Sequence, residues 1–160
     1  MAWNINIMAI KTPYLDLENI LDVMKIVRSG ASFEEATSVA LGYCPSTTFI
    51  NGHVLIIDVM CRFFHKSQFP KQISLKYDLK MYQMRNTPGY MLRSGGKKTK
   101  RLTGVKDFKE ELAFRKIPIR DKKDGESMAW QIFDDDIFGQ QFTGIANDLW
   151  NAKFDIWALD

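Results

Sequence analysis

The chain has 160 residues, 46% of them hydrophobic and 12% aromatic, enough to supply one buried core and to argue against disorder. No run approaches the roughly 18 apolar residues of a membrane span, and residues 1–7 lack the charged flank and cleavage site of a signal peptide, so the expectation is an intracellular, cytoplasmic protein with no membrane partner. The net charge of +3 is unevenly placed: residues 1–65 carry −2, residues 66–123 carry +12 and residues 124–160 carry −7. A basic middle before an acidic tail points to a polyanionic partner, or to the tail folding back over the basic block.

Thr12-Pro13-Tyr14 reads as an extended lead-in, since the residue before proline avoids the helical region. Leu17, Ile20, Leu21, Met24 and Val27 share one stripe at helical spacing while Asp16, Glu18, Asp22 and Lys25 face outward. This predicts a helix that Gly30 ends. Ser32-Phe33-Glu34-Glu35 has the Ser-x-x-Glu form of a capping box, and Phe33, Ala36, Val39 and Ala40 predict a second helix reaching Gly42, antiparallel to the first. Next, Asn51-Gly52 stands between Thr47-Thr48-Phe49-Ile50 and His53-Val54-Leu55-Ile56-Ile57. A type I′ turn needs positive φ at both central residues, so this is the strongest hairpin signal in the chain.

Around residues 34–49, Glu34-Glu35-Ala36 ahead of Leu41-Gly42-Tyr43, with Phe49 beyond, locally resembles the helix-turn-helix of AraC-type regulators. That arrangement requires residues 46–64 to be mainly one recognition helix. Asn51 and Gly52 oppose it, glycine at roughly 1 kcal/mol relative to alanine. The apolar run Val54-Leu55-Ile56-Ile57 also occupies positions where a DNA-reading helix presents polar side chains. The hairpin is the preferred reading.

Asp58 is expected to cap a helix running to Lys66, with Val59, Met60 and Phe63 inward, and Pro70 to close the connection. Ile73, Leu75, Tyr77, Leu79 and Met81 alternate with Ser74, Lys76, Asp78 and Lys80, predicting a half-buried strand with a partly basic outer face. Asn86-Thr87-Pro88-Gly89 reads as a turn and Tyr90-Met91-Leu92-Arg93 as the returning strand. Ser94-Gly95-Gly96-Lys97-Lys98-Thr99-Lys100-Arg101 is expected to be a flexible basic loop, with residues 94–104 the best hinge in a single domain of residues 1–160. Its Gly-Gly-Lys-Lys-Thr is no phosphate-binding P-loop, because the glycine spacing and the following helix are missing.

Val105, Phe108 and Leu112 predict a helix over about residues 106–114. Ile117 and Ile119, then Met128, Trp130 and Ile132, alternate on either side of Asp124-Gly125 and predict a second hairpin, with Pro118 confining its first strand to an edge. Beyond Asp134-Asp135-Asp136, a helix is expected across Phe142, Ile145, Ala146, Leu149 and Trp150. Phe154, Ile156, Trp157 and Leu159 then form an apolar end docked on the core. The expected fold is α+β: N-terminal helices, a central β-hairpin plus helix, a mostly antiparallel sheet and a C-terminal helix.

Ala36 and Gly42 ahead of Pro45, then Ile50-Asn51-Gly52, then Asp58-Val59-Met60 and a basic, apolar helix ending near Lys66-Ser67, resemble the core signature of phage RecT/Bet-type single-strand annealing proteins. The resemblance covers about residues 30–70. The segment between Pro45 and Asn51 is several residues shorter than in that family, and the whole chain is much shorter than typical members. It implies a phage or viral source and a strand-binding core serving recombination or annealing.

Phosphate recognition needs a field of Lys and Arg, and single strands gain roughly 1–3 kcal/mol for each base stacked on an aromatic ring. The candidates are Lys76, Lys80, Arg85, Arg93, Lys97, Lys98, Lys100 and Arg101 for phosphates and Tyr82 and Tyr90 for stacking; Tyr77 shares the apolar face of its strand and reads as core. The expected function is non-catalytic nucleic-acid binding, single-stranded DNA or RNA favoured, with self-association and an acidic protein partner as further expectations. The alternative is a viral or phage structural or interaction protein whose basic and acidic segments meet each other or a partner. A third class is a metal-dependent nuclease built from Asp134, Asp135 and Asp136 with Glu110, Glu111 and Lys116. Adjacent aspartates point in different directions, however. Cys44, Cys61, His53 and His65 are too few and too irregularly spaced for zinc, and the cysteines read as buried thiols. No catalytic residue, metal ligand or cofactor is therefore assigned.

Overall fold

The computed structural model describes residues 4–21, 23–41, 44–60, 69–139 and 149–159. Its central strand, β1 (Ile5–Ile10), is buried along its whole length. A short run that is apolar apart from Asn6 fits a strand covered on both faces. β1 lies antiparallel between β4 (His53–Val59) and β5 (Leu79–Met84). Around it the described residues form an eight-stranded sheet in the order β2-β8-β3-β4-β1-β5-β6-β7, antiparallel throughout. Here β2 is Met24–Ala31, β3 Ser46–Ile50, β6 Gly89–Ser94, β7 Lys97–Thr103 and β8 Phe154–Leu159. The fold is α+β.

Strand alternation divides the core between two faces. Ile5, Ile7 and Ala9 of β1, with Leu55, Ile57, Tyr82 and Tyr90, meet α2 (Phe33–Ala36), α4 (Gly104–Phe114) and α5 (Gly125–Phe138). Met8 and Ile10, with Val54, Ile56, Leu79 and Trp157, meet α1 (Leu17–Ile20) and Ile73 of α3 (Phe69–Ser74) on the opposite face. Among the described residues no helix is long and apolar enough to cross a membrane.

The hairpin forms as expected. Asn51 at φ 48° and Gly52 at φ 78° join β3 to β4, with Ile50 opposite His53. Strand backbone through residues 46–59 excludes the recognition helix of the AraC-like reading. The Ser32 capping box is also present: the Ser32 hydroxyl accepts from Glu35 N–H, and the Glu35 carboxylate accepts from Ser32 N–H. Phe154, Ile156 and Trp157 are buried, so the terminal apolar segment docks on the core as strand β8.

Five expectations are corrected. The first helix stops after Ile20, and Met24 begins β2, where Gly30 sits at φ 74°. Two of the apolar residues assigned to the helical stripe, Met24 and Val27, belong to a strand held by β8, a partner distant in sequence. The second helix is one turn, Phe33–Ala36, followed by a 3₁₀ turn at Val39–Leu41. Among the described residues the N-terminal part therefore holds two single-turn helices in place of the expected antiparallel pair. Asp58 and Val59, expected to open a helix, are strand: Asp58 lies in β4 opposite Asn6, and residues 61–66 of the expected helix fall outside the described residues. The strand expected from Ile73 starts at Leu79; Ile73 belongs to α3, whose second residue is Pro70, a position where the missing N–H costs little.

Finally, Asp124-Gly125 is a helix start. The Asp124 carboxylate accepts from Glu126 N–H at 3.0 Å, and Met128, Ala129, Ile132, Phe133 and Ile137 bury one side of α5. A Cβ at Gly125 would stand 2.1 Å from the Asn86 carbonyl oxygen, so only glycine lets α5 begin against the Asn86–Pro88 turn. The helix expected across Phe142 to Trp150 lies mainly outside the described residues.

Candidate nucleic-acid interface

The segment expected to be a mobile basic loop is ordered sheet. Gly95 at φ 59° and Gly96 at φ 78° turn the chain within two residues, and β7 then pairs with β6. Consecutive positive φ values match the twist of a tight hairpin, which explains why the glycines reverse the chain rather than loosen it. The hinge at residues 94–104 therefore disappears into a ladder.

Register decides which basic residues meet. Arg93 lies opposite Lys98 and Met91 opposite Arg101, while Met81 lies opposite Met91 and Gln83 opposite Gly89. Leu79, opposite Arg93, packs against the α1–α3 side, so this row faces away from α4 and α5. Arg85 joins it, donating from Nη2 to the Gln83 amide oxygen at 3.0 Å and from Nε to Thr87 O at 2.9 Å. Lys98 and Arg101 are exposed and Arg85, Arg93, Met81 and Met91 half-buried; no position of this row on β5, β6 or β7 is acidic. The Arg93 Nε is buried without a hydrogen-bond partner. At the end of the row, Gly96 N–H donates to Ser74 O at 3.2 Å, which sets the segment carrying Lys76 beside the turn that precedes Lys97. Lys76 and Lys97 are both exposed.

The other candidates point elsewhere. Lys80 is half-buried on the helix-covered face, opposite Ala9 and Leu92. Lys100 is on the same face and donates to Glu111 Oε1 at 2.6 Å. Tyr82 and Tyr90 are fully buried, so neither can stack on a base. Both hydroxyls donate to Asp136 Oδ2, at 2.7 and 3.0 Å. Burial, reinforced by the Asp136 charge, pushes both phenols well above the usual tyrosine range. The alternation seen in the sequence separates two faces without revealing which one the helices cover.

The same network accounts for most of the carboxylates considered for a nuclease. Arg115 donates to Glu111 at 2.7 Å, Asp136 at 2.8 Å and Asp135 at 3.0 Å. Its guanidinium also lies 5.8 Å from the centre of the Tyr90 ring. Burial opposes the guanidinium charge, yet Glu111 and Asp136 together raise its pKa above the ordinary arginine value. Asp134 is turned from this group; both of its oxygens are buried without hydrogen bonds, and Arg120 Nη2 is 3.7 Å away. Burial pushes the Asp134 carboxyl up to about 7. Among the described residues no group of three or more His, Cys, Asp or Glu is placed to hold a metal ion.

His53 is buried, and its Nδ1 lies 2.9 Å from Asn51 O. Burial, aided by Lys80 and Lys11, holds the imidazole below its usual range. Cys44 is a free, half-buried thiol, while Cys61 and His65 lie outside the described residues. Sequence reasoning missed Arg115, the residue that joins α4, α5 and the two tyrosines. Its only sequence signal is the i, i+4 spacing from Glu111. Comparison of the chain with protein-family models, with curated proteins and with solved structures finds no match.

Proposed function

We propose that the protein binds nucleic acid without catalysis, single strands favoured, through the face of β5, β6 and β7 that carries Arg85, Arg93, Lys98 and Arg101. The observation that supports this most directly is the register pairing of Arg93 with Lys98 and of Met91 with Arg101, which gathers cations on one sheet face with no interspersed carboxylate. Phosphates are bound by such a field at the expense of condensed counterions, so affinity falls steeply with salt. With Tyr82 and Tyr90 in the core, base contacts come instead from the planar guanidiniums and from Met81 and Met91. A role in strand annealing rests on the RecT/Bet resemblance alone.

A second reading has its own support. Glu111, Asp135 and Asp136 are ion-paired inside the molecule with Lys100 and Arg115, which supports a reading in which acidic and basic segments meet each other. An acidic protein would then be the partner of the remaining cations.

Gel-shift titration with single- and double-stranded DNA and RNA at two salt concentrations tests both. The triple variant Arg93→Gln, Lys98→Gln, Arg101→Gln is expected to weaken single-strand binding by about tenfold or more and to reduce the logarithmic salt slope by roughly 2. Lys100→Gln, whose side chain serves Glu111, leaves binding within about twofold, by the same reasoning. Absence of binding at low salt, or unchanged binding by the triple variant, overturns the proposal.

A further inference from the structure

A separate cleft opens where two strands part. β3 and β8 pair only at Ser46 with Ile156 and Thr47 with Asp155, although β3 continues to Ile50. Trp157 N–H donates to Pro45 O at 3.0 Å, so alternate residues of β3 turn their main-chain groups toward β8. Thr47 and Phe49 follow in that row, and β8 begins only at Phe154, so among the described residues no strand pairs with Phe49 on that side. Asn151, Ala152 and Lys153 line the space beside it, with the Thr48 hydroxyl donating to Lys153 O at 2.9 Å. The space between is broadly open to solvent and has a volume of about 540 Å³.

The chemistry of its lining is mixed in a specific way. The Tyr14 hydroxyl donates to Asp155 Oδ2 and lies 3.4 Å from Thr47 Oγ1, which in turn accepts from Trp157 Nε1 at 2.8 Å. This chain, anchored in the core, fixes the Asp155 carboxylate in the lining of the cleft. The Phe49 ring is 47% exposed and meets Tyr14 edge to face, with centroids 6.3 Å apart. Lys153, the one cation of residues 124–160, is exposed two positions from Asp155.

We propose that this cleft binds a nucleotide, its base lying against Phe49, an exocyclic amino group donating to Asp155 and its phosphate meeting Lys153. An aromatic wall beside a fixed carboxylate acceptor, with a cation a short distance away, matches a flat heterocycle that carries both an amino donor and an anionic group. The same chemistry is offered by a free mononucleotide and by the terminal nucleotide of a strand. The cleft is on β3 and β8, across β4 and β1 from the basic face, and does not depend on it.

Calorimetric titration of the full chain with AMP, CMP, GMP, UMP and ribose 5-phosphate tests the assignment. The three amino-bearing nucleotides are expected to bind, with UMP roughly fivefold or more weaker and ribose 5-phosphate silent. Phe49→Ala and Lys153→Ala, both at exposed side chains, are each expected to weaken AMP about fivefold or more while thermal unfolding stays cooperative. Asp155→Asn should erase the preference for AMP over UMP. Displacement of AMP by a 5′-phosphorylated oligonucleotide identifies a strand end as the source, and lack of displacement identifies the free nucleotide. No binding of AMP, equal binding of ribose 5-phosphate, or AMP affinity unchanged in both Phe49→Ala and Lys153→Ala overturns the proposal. The Arg93, Lys98, Arg101 triple variant should retain AMP binding; its loss would likewise overturn a separate site, whereas loss of strand binding alone bears on the basic face only.

Discussion

Arg115 shows how one side chain changes the meaning of several others. It holds Glu111, Asp135 and Asp136, and Asp136 in turn receives both tyrosine hydroxyls, so residues that look like site chemistry in the sequence are structural here. Arg115→Met should cost about 3 kcal/mol at pH 7 in urea unfolding, because it leaves buried carboxylates uncompensated. Asp134 is the opposite case, a carboxyl without hydrogen bonds whose pKa burial raises from 3.8 to about 7. The folded protein therefore keeps a proton that the unfolded chain loses above about pH 4, so this contribution to stability is full below that pH. It declines as pH rises and is gone above about 7. Asp134→Asn should remove this slope and raise stability at pH 8 by an amount on the order of 1–2 kcal/mol, read from denaturation midpoints across pH.

At the level of elements, turns separate into those that sequence chemistry dictates and those that packing overrules. Asn51-Gly52 reverses the chain because both residues take positive φ, and a Cβ at Gly52 would meet nothing within 4 Å. Gly52→Ala should therefore lose about 1–2 kcal/mol through backbone strain alone, with the hairpin retained, as thermal unfolding can measure. Asp124-Gly125 carries the same dipeptide logic and starts a helix instead. The contact between Gly125 and the Asn86–Pro88 turn, with the buried stripe of α5, outweighs the local hairpin preference. β7 illustrates a further point: a run rich in glycine and lysine has the composition of a loop, yet its pairing with β6 makes it an edge strand, and lysines on an edge discourage pairing with other chains.

For the whole molecule, β8 occupies a joining position in the sheet. It joins β2 to the rest of the sheet and buries Phe154, Ile156 and Trp157. Removing residues 154–160 is expected to abolish cooperative unfolding and near-ultraviolet dichroism, since β2 would lose its one neighbour among the described strands and both core faces would open. The charge asymmetry is likewise resolved by the assembled chain. Asp135 and Asp136 of the acidic tail pair with Arg115, while strand register brings Arg93, Lys98 and Arg101 to one face.

What the sequence determined by itself was local: the Asn51-Gly52 hairpin, the Ser32 capping box, the helix through Phe108 and Leu112, the return strand after Pro88 and the α+β class. Each depends on backbone preferences or periodicity within a few residues, which no distant contact needs to supply. The tertiary structure alone decided that Ile5–Ile10 is the central strand, that Met24 to Val27 leave the helical stripe for a strand, and that Tyr82 and Tyr90 are core while Arg93, Lys98 and Arg101 share a row on one sheet face. Alternation gives a strand two faces but not their cover. That depends on α4 and α5, and on pairing between β2 and β8, segments more than a hundred residues apart in the chain.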